Sequence, residues 1–580
     1  MSHASPVRAL LVFILAGALG AAAAVTPGLA RAQEREPDAR ELGRDEAARL
    51  SARFVSVAAE ATPKTVCVFG VIGLGSGAVV DSSGTVVTNA HVAAGARYAV
   101  ILRHDGRRVL YRRVGIDYEK DLAVLDPVEP EAAPLPHFKV VVERPAEGTF
   151  LCALGFPGGP RGADPSPTFT VGRALGRSAR GPTVGILDYS DAIRTDVPIF
   201  SGNSGGPLVD AEGRLVGING AVNFGDEKGG VDSFAVPCEL VADRLETLRG
   251  GVVRLPGGRT LDPESNPLLK VLEDRLDPIV RRMMDERLKT PAPRGEGGRA
   301  PAGAAPAEAA GAPEAADAFV KRTRTSPRNR ALAAAFRGVG AAARRRPVVS
   351  LADDAGRKGL GTAISATDVV ACASAFGPGD RLSDEAGRRF RVVGRAPAHD
   401  LLLASLETGE PLPTSALAAA RPVGTVVAVV GPEGVLAAGV VSAPPRPIGE
   451  NVARLLAARG GPDLQERIVA GIGRLAKAVG ADEIVELTRA LEAAFKLRRG
   501  FAAGSAPRGY ERVISHDAPC GPFAAGAPLV DVEGRIVGIH VASAHYGTSY
   551  AVPIDIVRAA FGPKPGAGPA PRPRSPREAF

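Results

Sequence analysis

The sequence predicts a mainly β protein in which one barrel or sandwich unit occurs twice, and three observations carry that expectation. From Thr65 to Pro237 the chain runs in short β-branched stretches such as "TVCVFGVIG", "GTVVTNAHV" and "GTFLCALGFP". Gly, Asp-Gly and Pro cut these runs, which is the pattern of strands joined by turns. From Val348 the same texture resumes in register with the first: "GRAPAHDLLLASL" follows "GIDYEKDLAVLDP", and "TSYAVPIDIV" follows "DSFAVPCELV". Finally, Pro207–Ile218 and Pro528–Ile539 are identical at ten of twelve positions. The period is that of a whole domain, which excludes a short-repeat solenoid.

The 580 residues are too many for one core and suggest several domains. Residues 1–32 have the form of a signal peptide: Arg8, the apolar run "ALLVFILAGALGAAAAV", and Ala30-Arg31-Ala32 as a cleavage site. No later stretch is apolar for long enough to span a bilayer, so a soluble extracytoplasmic protein, periplasmic or secreted, is expected. Residues 33–60 are charged and helix-favouring, and the first β unit occupies 61–248. A helical extension follows at 249–290, then a Pro/Ala/Gly linker at 291–318 and a basic helical segment at 319–346. The second β unit is 347–563. The offset between copies grows from 279 at Asp121/Asp400 to 321 at Pro207/Pro528, and a helical insertion at about 450–500 accounts for the extra residues. Residues 564–580 read as a disordered tail.

Composition narrows the function. The net charge of +8 is spread along the chain with no basic run interleaved with aromatics, so no nucleic-acid partner is expected. The five cysteines, Cys67, Cys152, Cys238, Cys372 and Cys520, form no C-x-x-C pair, which leaves no zinc ribbon or redox motif; one bridge among them is open, with no pairing indicated. No cofactor and no metal are expected. His516, His540 and His545 fit no metal-ligand spacing and read as surface or loop histidines.

Hydrolysis of an amide by a serine needs a hydroxyl, a neutral imidazole, a carboxylate that fixes the imidazole tautomer, and N–H groups facing the developing oxyanion. The first copy offers His91 in "TNAHV", Asp121 in "EKDLAVL" and Ser204 in "GNSGGP", in that order. Glycines around Ser204 let a tight turn aim the N–H groups of Gly202 and Ser204 into one hole.

With these motifs, residues 65–237 resemble a trypsin-like serine protease domain, closest to the HtrA/Deg branch. The resemblance implies a chymotrypsin-like fold: two packed six-stranded barrels with the site in the crevice between them. It gives His91 the role of base, Asp121 that of orienting carboxylate and Ser204 that of nucleophile, with Gly202 and Ser204 as the oxyanion hole. Gly220, Ala221 and Val222 would pair with the substrate backbone. Asn203 stands where digestive proteases bind a new N-terminus through Asp, so activation by N-terminal processing is not expected. Pro198, followed by Ile199 and Phe200, replaces the acidic pocket of a trypsin-type enzyme, and a small or medium apolar residue before the cut is expected. The PDZ domains usual in that branch have no counterpart here. The resemblance also makes homo-oligomers and unfolded protein or peptide substrates the expected partners.

The second copy keeps Asp400 but carries Ser374 for His91, Ala525 for Ser204 and Phe523 for Gly202. It has no nucleophile and no base, and Phe523 is expected to crowd the hole. Cys520 has no histidine partner and is not expected to substitute. The expected function is a serine endopeptidase with a catalytically dead accessory or peptide-binding copy. The rival is a protein-binding or holdase scaffold on an inactive protease fold, and an esterase on the same triad would differ only in substrate.

Overall fold

The computed structural model describes residues 42–70, 74–94, 97–157, 159–160, 165–178, 183–184, 187–200, 202–223, 232–254, 258, 260–261, 281–282, 285, 288, 326–336, 347–448, 510–520, 522–543 and 548–561. The expected signal segment, linker, helical insertion and C-terminal tail lie outside those residues, as does most of the helical extension.

Successive side chains of a strand face opposite sides, many strands such as Phe150–Gly155 and Val426–Val430 are buried along their whole length, and the strands close into four barrels. The first barrel uses Thr65–Phe69, Leu74–Val79, Val86–Thr88, Tyr98–Leu102, Arg108–Asp117 and Leu122–Pro127. The second uses Phe150–Gly155, Thr168–Arg177, Ile193–Thr195, Pro207–Asp210, Leu215–Asn223 and Asp232–Pro237. The third and fourth, spanning Val348 to Thr408 and Val426 to Pro553, repeat the arrangement. Numbered along the chain, the six strands of each barrel meet in the same cyclic order, 1-2-3-6-5-4. Each barrel has its own apolar filling, Val66, Ile101 and Leu125 in the first and Val427, Ile514 and Leu529 in the fourth, for example.

The repeated phrase "PLVDxEGRxVGI" is a hairpin in both copies. Asp210 Oδ1 accepts the N–H groups of Glu212 and Arg214 at 3.0 and 2.9 Å, and Asp531 Oδ1 accepts those of Glu533 and Arg535 at 3.1 and 3.0 Å. The turn needs a left-handed residue, supplied by Gly213 (φ 75°) and Gly534 (φ 78°). Its near-identity therefore reflects a structural demand common to both copies.

Five helices matter here: α1 (Arg44–Ala61), α2 (Ala90–Ala93), α3 (Cys238–Arg249), α4 (Pro327–Ala334) and α5 (Ile554–Phe561). Helix α1, within the expected helical segment, lies across both halves. Its Phe54 meets Phe150 of the second barrel edge-on at 5.6 Å, and its Ser51 Oγ accepts the N–H of Val426 from the fourth. In the expected helical extension 249–290 the described residues include two short strands added to the first barrel's sheet, Val253–Arg254 and Thr260–Leu261, and helical residues at 281, 282, 285 and 288. In the basic segment 319–346 the described helix is α4, whose Arg328 is fully buried. All five cysteines are buried and none is in a disulfide, and burial pushes the thiols of Cys67, Cys152, Cys238 and Cys372 up. No described helix is long and apolar enough to cross a membrane.

Candidate active site

His91 sits on α2, just after the last residue of a first-barrel strand, and Asp121 on the turn leading into Leu122–Pro127. Asp121 has φ 53°, an uncommon left-handed conformation for a non-glycine residue. That turn aims its carboxylate at His91. Oδ1 accepts the backbone N–H of His91 at 3.0 Å, and the ring Nδ1 lies 3.0 and 2.9 Å from Oδ1 and Oδ2. Asn89 Nδ2 donates to the Asp121 carbonyl at 2.9 Å, fixing the turn itself. Both side chains are nearly buried, at 6% and 2% exposure, so the pair is shielded from competing water. With Nδ1 held by the carboxylate, Nε2 is the nitrogen left to accept a proton.

Ser204 comes from the second barrel, on the loop before Pro207–Asp210. This loop is knotted to the first barrel. Ser76 donates its hydroxyl to Gly202 O at 2.6 Å and its N–H to Ser204 O at 2.8 Å, while Ser76 Oγ accepts from Phe156 N at 3.0 Å. Gly205 must be glycine. Its φ is 83°, and a Cβ there would lie 2.1 Å from Thr88 Oγ1. Among the described residues, the N–H groups of Gly202 and Ser204 donate to no protein acceptor, which leaves both for a ligand oxygen. The Ser204 hydroxyl donates to Gly220 O at 3.3 Å rather than to His91. A rotation about its Cα–Cβ bond is needed to bring it to the imidazole.

Sequence reading missed Tyr189. It is 3% exposed, donates its phenol to Asp121 Oδ2, and packs its ring where a side chain at position 220 would be; a Cβ on Gly220 would lie 2.4 Å from ring Cε1. Burial and the neighbouring Asp121 charge push its phenol well up, so it stays a donor at neutral pH. The only sequence signal is the glycine at 220, whose missing side chain makes room for the ring. We predict that Tyr189→Phe lowers kcat on a fluorogenic peptide about tenfold with KM little changed, since a hydrogen bond to a charged group is lost without disturbing the packing. An unchanged kcat would show the phenol to be dispensable.

One pocket expectation needs correction. Ile199 is 4% exposed and packs inside the second barrel with Val197, Leu208 and Val216, so it presents no side chain to an open pocket. Gly220, Ala221 and Val222 do lie on an edge-forming stretch of Leu215–Asn223, with a register shift between Asn219 and Ala221 opposite Asp232–Pro237.

In the second copy, Ser374 and Asp400 reproduce the first copy's pairing. Ser374 N donates to Asp400 Oδ1 at 2.8 Å and Ser374 Oγ to Oδ2 at 2.6 Å, and Asp400 has φ 52°. Gly526 N donates to His540 O at 2.8 Å, as Gly205 N does to Asn219 O. The frame is thus preserved around Ala525. Phe523, expected to crowd the hole, stands 51% exposed in the short turn Pro522–Ala524, because that turn directs the ring outward.

His516 and His540 are also not surface or loop residues. Both lie on strands of the fourth barrel at 0% exposure, with His540 Nδ1 3.3 Å from His516 Nε2. The 321-residue offset puts them on Thr195 and Asn219 of the first copy, which are buried as well, and that correspondence was the available signal. His545 lies outside the described residues. Among the described residues no group of three or more His, Cys, Asp or Glu side chains could hold a metal ion.

Comparison with known proteins matches the trypsin-like peptidase domain family to residues 75–218 and 359–539, together more than half of the chain. A protein named as serine protease HhoA in Synechocystis sp. is 37% identical over 183 residues, covering 31% of this chain and 44% of that protein. One named as a DegP-like periplasmic serine endoprotease in Halomonas elongata is 34% identical over 199 residues, covering 34% and 40%. The chain therefore spans less than half the length of these relatives. Among solved structures, the HtrA-type protease AlgW with a tripeptide is 32% identical, covering 34% of this chain and 63% of that one with a TM-score of 0.29.

Proposed function

The chain belongs to the trypsin-like peptidase family, in its HtrA/Deg branch, and from that premise we propose that it is a serine endopeptidase acting outside the cytoplasm on unfolded or damaged proteins. The observation that carries the proposal is the buried His91–Asp121 pair of the first barrel together with a Ser204 loop that Ser76 of the same barrel holds, in which the N–H groups of Gly202 and Ser204 meet no acceptor among the described residues. Relatives named as periplasmic serine endoproteases support the compartment and the endopeptidase activity.

The chemistry follows from the geometry. Once rotated toward His91, Ser204 Oγ loses its proton to Nε2 and attacks the peptide carbonyl; the oxyanion takes the N–H groups of Gly202 and Ser204. His91 then protonates the leaving amine, and water cleaves the acyl-serine by the reverse proton path. The second copy, with Ala525 and Ser374, supplies neither nucleophile nor base and acts as an accessory.

The test compares the mature protein with Ser204→Ala. We expect the wild type to be labelled by a fluorophosphonate probe and to degrade casein, and the variant to do neither, losing more than about 10^3-fold in rate. A folded wild type that is not labelled would favour the rival reading, a protein-binding scaffold. The hydroxyl's orientation toward Gly220 O is the observation on that side.

A further inference from the structure

A fully buried charge lies away from the candidate active site, between the two halves of the molecule. Arg328, on α4, has 0% exposure. Its guanidinium Nη2 is 2.5 Å from Asp517 Oδ1 and its Nη1 donates to Asp517 O at 3.3 Å. Its backbone N–H donates to Asp196 Oδ2 at 2.7 Å. Asp196 belongs to the first copy and Asp517 to the second. They are equivalent residues, each eight positions before Ser204 and Ala525 respectively.

Each carboxylate also ties down its own barrel. Asp196 Oδ1 accepts Arg173 N at 2.6 Å, and Asp517 Oδ1 accepts Val440 N at 2.6 Å. Asp517 goes further: its Oδ2 accepts the N–H of Val171 in the first copy at 3.2 Å. The strands involved, Thr168–Arg177 and Val435–Ile448, occupy the same place in their barrels and pack against each other. Arg446 reaches across to the Ser166 carbonyl at 3.3 Å, and Asn329 Oδ1 on α4 accepts Ala438 N at 2.9 Å.

What this clamp holds is the approach to the nucleophile. From Asp196 the chain runs through Val197, whose carbonyl accepts from Ser233 Oγ at 2.7 Å, and Pro198, whose carbonyl accepts from Thr170 Oγ1 at 2.7 Å. It then reaches Phe200, whose carbonyl accepts from Asn203 N at 2.8 Å, one residue before Ser204. A fully buried arginine set between two carboxylates costs desolvation that simple barrel packing would not require. Hydrophobic residues would have joined the halves at less cost. Placing it on the segment leading to Ser204 gives it a use that packing alone does not.

We propose that the second copy is a positioning half of the catalytic unit, holding through Asp517 and Arg328 the Asp196 segment that leads to Ser204. This rests on the reading of Ser204 as the nucleophile. The dead copy was then retained because its barrel completes the support of the live one, and Arg328 acts as a positioning residue that never touches substrate.

The experiment uses the full mature chain and the variant Arg328→Met with Asp517→Asn, which removes both members of the pair together and so avoids a lone buried charge. Folding is followed by thermal melting, labelling of Ser204 with a fluorophosphonate by rate, and turnover of a fluorogenic peptide by kcat and KM. The expected result is a folded variant labelled about tenfold more slowly, with kcat reduced in step and KM held within about twofold, because misplacement of the nucleophile affects chemistry before binding. Arg328→Lys, which keeps the cation beside Asp517, should recover part of the rate. A folded double variant labelled at the wild-type rate overturns the proposal. If the double variant does not fold, Asn329→Ala carries the test: it frees α4 from one bond to the second copy, and labelling slowed about threefold supports the proposal while an unchanged rate overturns it. A wild type that is not labelled at all overturns the reading of Ser204, and the proposal with it.

Discussion

Asp121→Asn is expected to lower kcat by about 10^4 while leaving the protein folded, the size of effect that follows when the imidazole is held in the wrong tautomer. The reason here is specific. Every partner of the carboxylate is a donor: His91 N and Nδ1–H, and the phenol of Tyr189. An amide offers one oxygen for these three and turns an NH2 group on at least one of them. If the NH2 group faces Nδ1, the ring must place its proton on Nε2, where it can no longer accept from Ser204. Both steps of the proton relay fail together. The check is kcat on a peptide substrate, with fluorophosphonate labelling as a second measure of the same nucleophile. A loss of less than about tenfold would mean that Asp121 does not orient the base, whatever its distance from it.

Lowering the pH from 7 to 5 is expected to weaken the fourth barrel by about 2 kcal/mol through His540, with a further loss in the same direction through His516. Burial, and for His516 the neighbouring His540 as well, drives both imidazoles down, His540 to about 3 and His516 well below its usual value. The unfolded chain takes up these protons near pH 6.5, whereas the folded barrel refuses them, so the unfolded state binds more protons throughout that window. Stability from this source is complete above about pH 6.5 and is lost as the pH falls toward the folded values. Hydrogen exchange of peptides from 510–516 and 536–543 reports it directly. At pH 5, after correction for the intrinsic rate, protection through unfolding of this barrel should drop by at least about 20-fold. The control is His516→Thr with His540→Asn, which installs the residues of the first copy, Thr195 and Asn219, and should leave protection nearly level with pH. Equal protection in the wild type at both pH values would sink the prediction.

Much of the molecule could be read from local pattern. Strand texture, the Asp-x-Glu-Gly-Arg hairpin and the order His, Asp, Ser are all encoded over stretches of a dozen residues or fewer, where turn chemistry and alternation act directly on the backbone. The copies could be aligned by eye for the same reason. The losses at Ser374 and Ala525 followed from that alignment, and the structure adds that Ser374 still bonds Asp400 as His91 bonds Asp121.

Other features were illegible because they depend on partners far away along the chain. Tyr189 is an ordinary tyrosine until folding brings it to Asp121, and Ile199 reads equally well as pocket lining or as core until the barrel closes over it. His516 and His540 look solvent-bound in a loop-rich stretch, yet strand pairing turns both inward.

By itself the sequence determined that β units would form, that they would come twice, and that one copy alone carries a histidine, a carboxylate and a serine in the order a serine peptidase requires. It did so because strands, turns and the chemical nature of side chains are local properties. Only the tertiary structure decided which polar groups would lose water and find each other: Arg328 with Asp196 and Asp517, Tyr189 with Asp121, and one buried histidine with another. A buried polar group is stable only when a partner is supplied, and for Arg328 and Asp517 that partner stands 189 residues away. No window on the chain spans that distance, so the joining of the two copies emerges only when the barrels pack.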